Sequence, residues 1–211
     1  LEREHGGDRV ARAVDLAAEA AADRRAYELD SVQRHAEVRR DEGVWSLVGD
    51  PTEGALVVLA TKAGIDVADL RARHPRLADV PFDSANKYMA TAHEMVTGSG
   101  ERTVRVGVKG APDVLLARAS TVSDNEGALA PVAVHRDEVV AHNERLAAQG
   151  LRVLAVAQRD FDSDAWAEFE ASEANPVDLV DGLTLVALAG IVDPPRPEAR
   201  QAIAEAHRAG I

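Results

Sequence analysis

Apolar residues recur along the chain with two spacings, one helical and one alternating, and the switches between them mark the elements. From Asp8 to Tyr27, Val10, Ala13, Val14, Ala17, Ala18 and Ala21 fall on one helical face within an Ala-rich stretch, which predicts a helix. Gly43 and the alternation Val44-Trp45-Ser46-Leu47-Val48 predict a turn and a short strand. Asp50-Pro51-Thr52-Glu53 has the form of a helix start, with Asp50 as N-cap, Pro51 at the first helical position and Glu53 at the capping-box position. Leu56, Leu59, Ala60 and Ala63 continue that helix and Gly64 stops it. A second, shorter helix runs from Asp66 to about His74-Pro75.

Tyr88 to Val96 reads as a strand. Val104, Val106 and Val108 alternate with Thr103, Arg105 and Gly107, so these two segments form an expected hairpin about 97–101. A short helix is expected from Pro112 to Arg118, then turn chemistry at Ser123-Asp124-Asn125-Glu126-Gly127. Asp137 to Gln149 reads as a helix with Val139, Val140, Asn143, Leu146 and Ala147 on one face, closed by Gly150. Leu151 to Ala157 and Leu183 to Val192 read as strands, the latter central, and Pro197 to Ala209 as a last helix. Before residue 150 there is no regular strand-helix-strand rhythm. The expected class is therefore α+β, a mostly antiparallel sheet flanked by helices.

Composition narrows the function. A chain of 211 residues with 46% hydrophobic and 28% charged residues has the make-up of a globular protein able to bury a core. The longest apolar run, Leu183 to Val192, contains Thr184 and Gly190 and is too short for a membrane span. The first residues lack a signal-peptide pattern and an initiator Met, so the sequence reads as a piece of a longer protein. The absence of Cys excludes disulfides and thiolate metal sites. A net charge of −12 and an aromatic content of 3% argue against a nucleic-acid partner. Eight carboxylates lie between Asp160 and Asp181 without a Lys or Arg, a solvated surface segment in the simplest reading. The seven His residues form no i, i+4 pair on a helix face, so no metal site is expected.

A few side chains have two readings each. Phe82 is either a core residue or an aromatic platform. A capping box accounts for Glu53 without any ligand, and a site at a helix start is the alternative. Lys87 and Lys109 are surface lysines or ligand cations; Lys109 ends a strand and precedes Gly110-Ala111, which would let a ligand approach the backbone closely. Arg152, at the start of a strand, reads on local sequence as a surface arginine at a strand edge.

Four segments occur in a set order: Gly49-Asp50-Pro51-Thr52-Glu53-Gly54-Ala55-Leu56, Pro81-Phe82-Asp83-Ser84-Ala85-Asn86-Lys87, Lys109-Gly110-Ala111-Pro112 and Gly150-Leu151-Arg152. Together they resemble the nucleotide-binding domain of P-type cation-transporting ATPases, closest in pattern to the calcium-like and sodium/potassium-like branches. Asp193-Pro194-Pro195-Arg196 resembles the point where such a domain returns to its phosphorylation domain. His74-Pro75 is not preceded by the Ser-Glu of the heavy-metal branch, and reads as a helix end.

The resemblance implies an antiparallel N-domain fold over 44–190, after an N-terminal helical segment at 1–43 that matches no motif. Residues 191–211 would be a hinge, Asp193, Pro194, Pro195 and Arg196, and the start of the returning segment. It implies ATP, with magnesium as the nucleotide complex, held by Glu53, Phe82, Ser84, Lys87, Lys109, Gly110, Ala111 and Arg152. Phe82 would stack on adenine and Glu53 accept from its amine. Lys109 would lie deep and Lys87 at the mouth. Arg152 would meet phosphate or ribose, and Ser84 stands at a position that varies among pumps.

The partners implied are the phosphorylation and actuator domains of the same pump, with no nucleic acid and no membrane contact by this segment. The parent would be an ATP-driven cation translocase of the plasma membrane, with this domain on its cytoplasmic side. No Asp-Lys-Thr-Gly-Thr phosphoacceptor segment and no Thr-Gly-Asp segment occurs in the chain, so this part is expected to bind ATP and not to hydrolyse it. The alternatives are a non-enzymatic interaction domain with an acidic surface and a stand-alone nucleotide hydrolase.

Overall fold

A seven-stranded sheet in the order β3-β4-β5-β8-β9-β6-β7 carries the domain, with a separate two-stranded hairpin, β1-β2, beside it. The computed structural model describes residues 36–41, 44–62, 64–96, 99–124, 127–172, 175–192 and 197–210. The expected helix at 8–27, most of the 1–43 segment and the expected hinge at Asp193 to Arg196 lie outside the described residues.

The strands are β1 (Glu37–Asp41), β2 (Val44–Val48), β3 (Arg76–Asp83), β4 (Tyr88–Val96), β5 (Arg102–Gly110), β6 (Ala119–Ser123), β7 (Leu129–Pro131), β8 (Arg152–Asp162) and β9 (Leu183–Ile191). The helices are α1 (Pro51–Lys62), α2 (Val67–Arg73), α3 (Pro112–Arg118), α4 (Val132–Ala148), α5 (Ser163–Ala171) and α6 (Pro197–Arg208), with a 3-10 turn at Pro176–Val180. Neighbouring strands of the large sheet run antiparallel except β6 and β9, which are parallel. This is the α+β class read from the sequence.

The two faces of the sheet are covered differently. On one, Tyr88, Ala90 and Ala92 of β4 and Val104, Val106 and Val108 of β5 join Leu115, Leu116, Val132, Trp166, Leu179, Val180 and Leu183 in the main core. That face is closed by α3, α4, α5 and the 3-10 turn. On the other, Val156 of β8 and Ala189 of β9 pack beneath Leu56 and Leu59 of α1. Helix α1 is apolar nearly all round and is buried from Glu53 to Ala60. Leu47 of β2 leans on the helix at Gly54, so a Cβ there would displace the tip of the Leu47 side chain.

The helix starts form as their sequences dictate. Asp50 Oδ1 accepts from the N–H of Thr52 at 2.8 Å and of Glu53 at 3.1 Å. Asp66 Oδ1 caps α2 in the same way, at 3.1 Å to Ala68 N and 3.0 Å to Asp69 N.

The structure departs from expectation at several points. Residues 76–83 are a strand, hidden in the sequence because β3 is an edge strand with a mixed burial pattern and contains Pro81. Strands β6 and β7 flank the expected turn at 123–127. Helix α4 begins at Val132, before the expected Asp137, and its inward stripe is Val132, His135, Val139, Asn143 and Leu146, leaving Val140 and Ala147 outward. The stripe shifts because α4 lies against the sheet from its first residue, and Val132 in the core sets its rotation. Strand β8 runs to Asp162, so the start of the acidic segment is strand, followed by α5, whose Trp166 is buried against Phe161 and Phe169.

Candidate functional site

The residues singled out in the sequence are distributed over α1, the β3-β4 turn, the end of β5 and the start of β8. Lys109 is the last residue of β5 whose side chain is directed to the α1 face. In register it stands between Met89 of β4 and Val156 of β8, and Val156 lies under Leu56 and Leu59. Glu53, in the first turn of α1, comes down on it: Nζ of Lys109 and Oε1 of Glu53 are 3.1 Å apart. Both residues are buried, at 6% and 8% exposure. An ion pair this deep exists because each charge offsets the desolvation of the other.

Burial is the main influence on Lys109 and pushes its pKa below the ordinary lysine value. Glu53 opposes that through charge and hydrogen bond, Asp50 opposes it more weakly, and Arg76 adds to the lowering. Asp50 and Arg76 were singled out for no role at this site by the sequence. Asp50 is the α1 N-cap, and Arg76 occupies the position of β3 opposite His93, on the Lys109 face by alternation. Met89 was also missed. The signal available for it was the period of two through Met89, Thr91 and His93, on the face opposite to the core residues Tyr88, Ala90 and Ala92.

The β3-β4 turn holds three of the expected residues. Between Val80 opposite Ala90 and Asp83 opposite Tyr88, β3 advances three residues while β4 retreats two, which is a β-bulge. Its effect on Phe82 is large. Strict alternation from Val80, a member of the main core, would send Phe82 to the same core. With Asp83 reset opposite Tyr88, Phe82 takes the other face, that of Met89 and Lys109. Its exposure of 64% excludes the core reading for this ring. Ser84 and Lys87 are both exposed, and Lys87 has φ of 60°, in the left-handed region.

Gly110 and Ala111 are joined to that turn directly. The N–H of Ala111 donates to the carbonyl of Lys87 at 3.0 Å. A Cβ on Gly110 would lie 2.6 Å from the same carbonyl oxygen and 2.7 Å from Tyr88 Cβ, so only glycine allows the two strands to meet here. Arg152 is exposed, at the end of the sheet where β5 finishes, since Gly110 stands opposite Ala155. By alternation with Leu154 and Val156 it is on the Lys109 face.

The structure thus brings Glu53 into contact with Lys109 and ties Lys87 to Gly110 and Ala111. It carries Phe82 and Ser84 on the same turn as Lys87. Arg152 joins this group through register and shared face. The set combines an exposed ring, a buried carboxylate acceptor, a buried ammonium and an exposed guanidinium on one sheet face, with the exposed Lys87 at the adjoining turn. It suits a ligand with an apolar, hydrogen-bonding head and an anionic tail.

Comparison with known proteins identifies the family. Residues 29–198 match the family described as P-type ATPase, cytoplasmic domain N. A cation-transporting ATPase, pma1, from Synechocystis sp. is 41% identical over 167 residues, 79% of this chain and 17% of that protein. A calcium-transporting ATPase from Bacillus subtilis is 36% identical over 177 residues, 84% of this chain and 19% of that protein. A sodium/potassium exporting P-type ATPase, cta3, from Schizosaccharomyces pombe is 38% identical over 173 residues, 81% of this chain and 15% of that protein. The chain spans less than a fifth of the length of each of these relatives.

Proposed function

The chain belongs to the P-type ATPase family, as its cytoplasmic N domain, and from this we propose that it binds ATP and presents it to a phosphorylation domain carried elsewhere in a cation-transporting pump. The observation that carries the reading is the Glu53–Lys109 pair, buried on the sheet face toward which the bulge turns Phe82.

In this reading the adenine ring lies on Phe82, whose exposed face costs nothing to uncover. The second oxygen lone pairs of Glu53 accept from the exocyclic amine, while Lys109 keeps that carboxylate charged and oriented. Gly110 acts indirectly, by letting the β3-β4 turn lie against the end of β5 beside Lys109. Lys87 and Arg152, exposed toward the same end, receive the phosphates, and Ser84 offers a hydroxyl at the turn. Magnesium would accompany the phosphates and neutralise charge during transfer. Residues 44–190 would form the binding unit and 191–211 the return toward the phosphorylation domain, with the actuator domain as a further partner. Transfer itself needs an aspartate that this sequence does not supply in the Asp-Lys-Thr-Gly-Thr form.

Titration of the purified chain with AMP and with ATP, followed by backbone amide shifts, tests this. Both should bind, ATP only modestly more tightly, with the largest shifts at Glu53, Phe82, Lys87 and Lys109, and phosphate release should stay at background. A folded chain that binds neither nucleotide would favour an interaction domain instead.

A further inference from the structure

We propose that Asp83 is a positioning residue for the nucleotide site, holding the β3-β4 turn in the one register that directs Phe82 to the Lys109 side of the sheet and keeps Lys87 against Ala111. The proposal rests on the nucleotide-binding reading above. Asp83 itself is exposed, stands on the strand opposite Tyr88 and has no part in the ligand set.

Both ends of Asp83 are used by the turn. Its side-chain Oδ1 accepts from the N–H of Ala85 at 2.6 Å, an Asx turn, and its carbonyl accepts from the N–H of Lys87 at 2.7 Å. The turn then needs a residue in the left-handed region to rejoin β4, a position normally given to Gly or Asn. Here Lys87 adopts it, with φ of 60°. An unfavourable backbone conformation at a lysine persists only if its surroundings over-determine it. Two constraints do so: the closed Asp83 turn on one side, and the Lys87 carbonyl received by Ala111 N–H at 3.0 Å on the other. Gly110 supplies the space for that second contact.

The consequence reaches Phe82 through the bulge. Residues Val80 and Asp83 are both held in register, by Ala90 and Tyr88, and the ring between them faces Lys109 only while Asp83 remains opposite Tyr88. An open turn would let β3 slip by one residue and return Phe82 to the face of Val80. Asp83 therefore fixes the aim of the Phe82 ring and the backbone of Lys87 without touching the ligand.

The test is AMP binding by the chain and its Asp83 variants, followed by NMR. Two quantities are read: the dissociation constant, and the upfield ring-current shift of the adenine protons at saturation, which reports Phe82 stacking and is indifferent to global stability. Asp83→Ala should weaken AMP binding about fivefold and reduce the ring-current shift. Asp83→Asn, which keeps the Oδ1 acceptor, should restore both. Asp83→Glu keeps the charge but is one methylene too long for the Asx turn, and should behave like Asp83→Ala. If Asp83→Ala does not fold, the Asn and Glu pair still decides. Equal affinity and equal ring-current shift in the wild type, Asp83→Asn and Asp83→Glu would overturn the positioning role while leaving nucleotide binding intact. Failure of the wild type itself to bind AMP would overturn both.

Discussion

Glu53 and Lys109 lie 56 positions apart in the sequence and meet at 3.1 Å beneath the first turn of α1. Removing one partner leaves the other buried and uncompensated, whereas removing both leaves a gap that apolar atoms fill. Glu53→Leu and Lys109→Met are each expected to cost about 3 kcal/mol of folding stability. The double variant should recover most of that loss while losing nucleotide affinity. Urea unfolding of the four proteins measures the coupling, and simple additivity of the two single effects would show that the pair is not a unit.

Phe82 separates affinity from stability. With 64% of its surface exposed, Phe82→Ala should change folding stability by no more than about 0.5 kcal/mol. Loss of a base-stacking ring should weaken AMP binding by about 1–3 kcal/mol. Calorimetric titration and thermal unfolding of one sample give both numbers; a large fall in stability would contradict the exposed placement.

Lys109 sets a pH dependence of opposite sign for folding and for binding. Its pKa is lowered in the folded protein, chiefly by burial, so between that lowered value and the ordinary lysine value the unfolded chain holds more protons. Its contribution to stability therefore rises with pH across this window. Binding of ADP should weaken over the same window, because the ammonium that holds Glu53 toward the base is lost. Measurements from about pH 7 to about pH 10 on wild type and Lys109→Arg, which stays charged, should show both trends in the first and neither in the second.

Gly110→Ala forces a Cβ to within 2.6 Å of the Lys87 carbonyl oxygen. Overpacking against backbone should cost about 1–3 kcal/mol and displace the β3-β4 turn. Amide shifts of Ser84 to Lys87 would report that displacement, and an unperturbed turn would argue that the contact is slack.

Tyr88 gives a contrasting case in the main core. The ring is fully buried, with the Arg118 guanidinium 5.2 Å from its centroid, while its hydroxyl has no hydrogen-bond partner among the described residues. Tyr88→Phe removes a desolvated oxygen and keeps the ring, so stability should be unchanged or higher by about 1 kcal/mol. A loss of that size in urea unfolding would instead reveal a partner for the hydroxyl.

What the sequence determined by itself is the local part of this protein. The Asp50 and Asp66 caps, the Pro51 and Pro112 helix starts, the alternation in β4 and β5 and the central strand β9 were legible because each depends on contacts within a few residues. The ordered segments around Glu53, Phe82, Lys109 and Arg152 were likewise enough to indicate the family. Tertiary structure decided the rest. Strand β3 was not legible because an edge strand with a proline and a bulge has neither alternation nor an apolar run. The face taken by Phe82 depends on one extra residue between two registers, which is defined only once β4 pairs with β3. The choice of Glu53 between its own helix cap and a ligand was open in the sequence, which gave no sign of its pairing with Lys109; Oε1 reaches Lys109 because α1 packs on β8 and β9, next to β5. Long-range pairing sets these features, since the energies that select them arise between segments tens of residues apart.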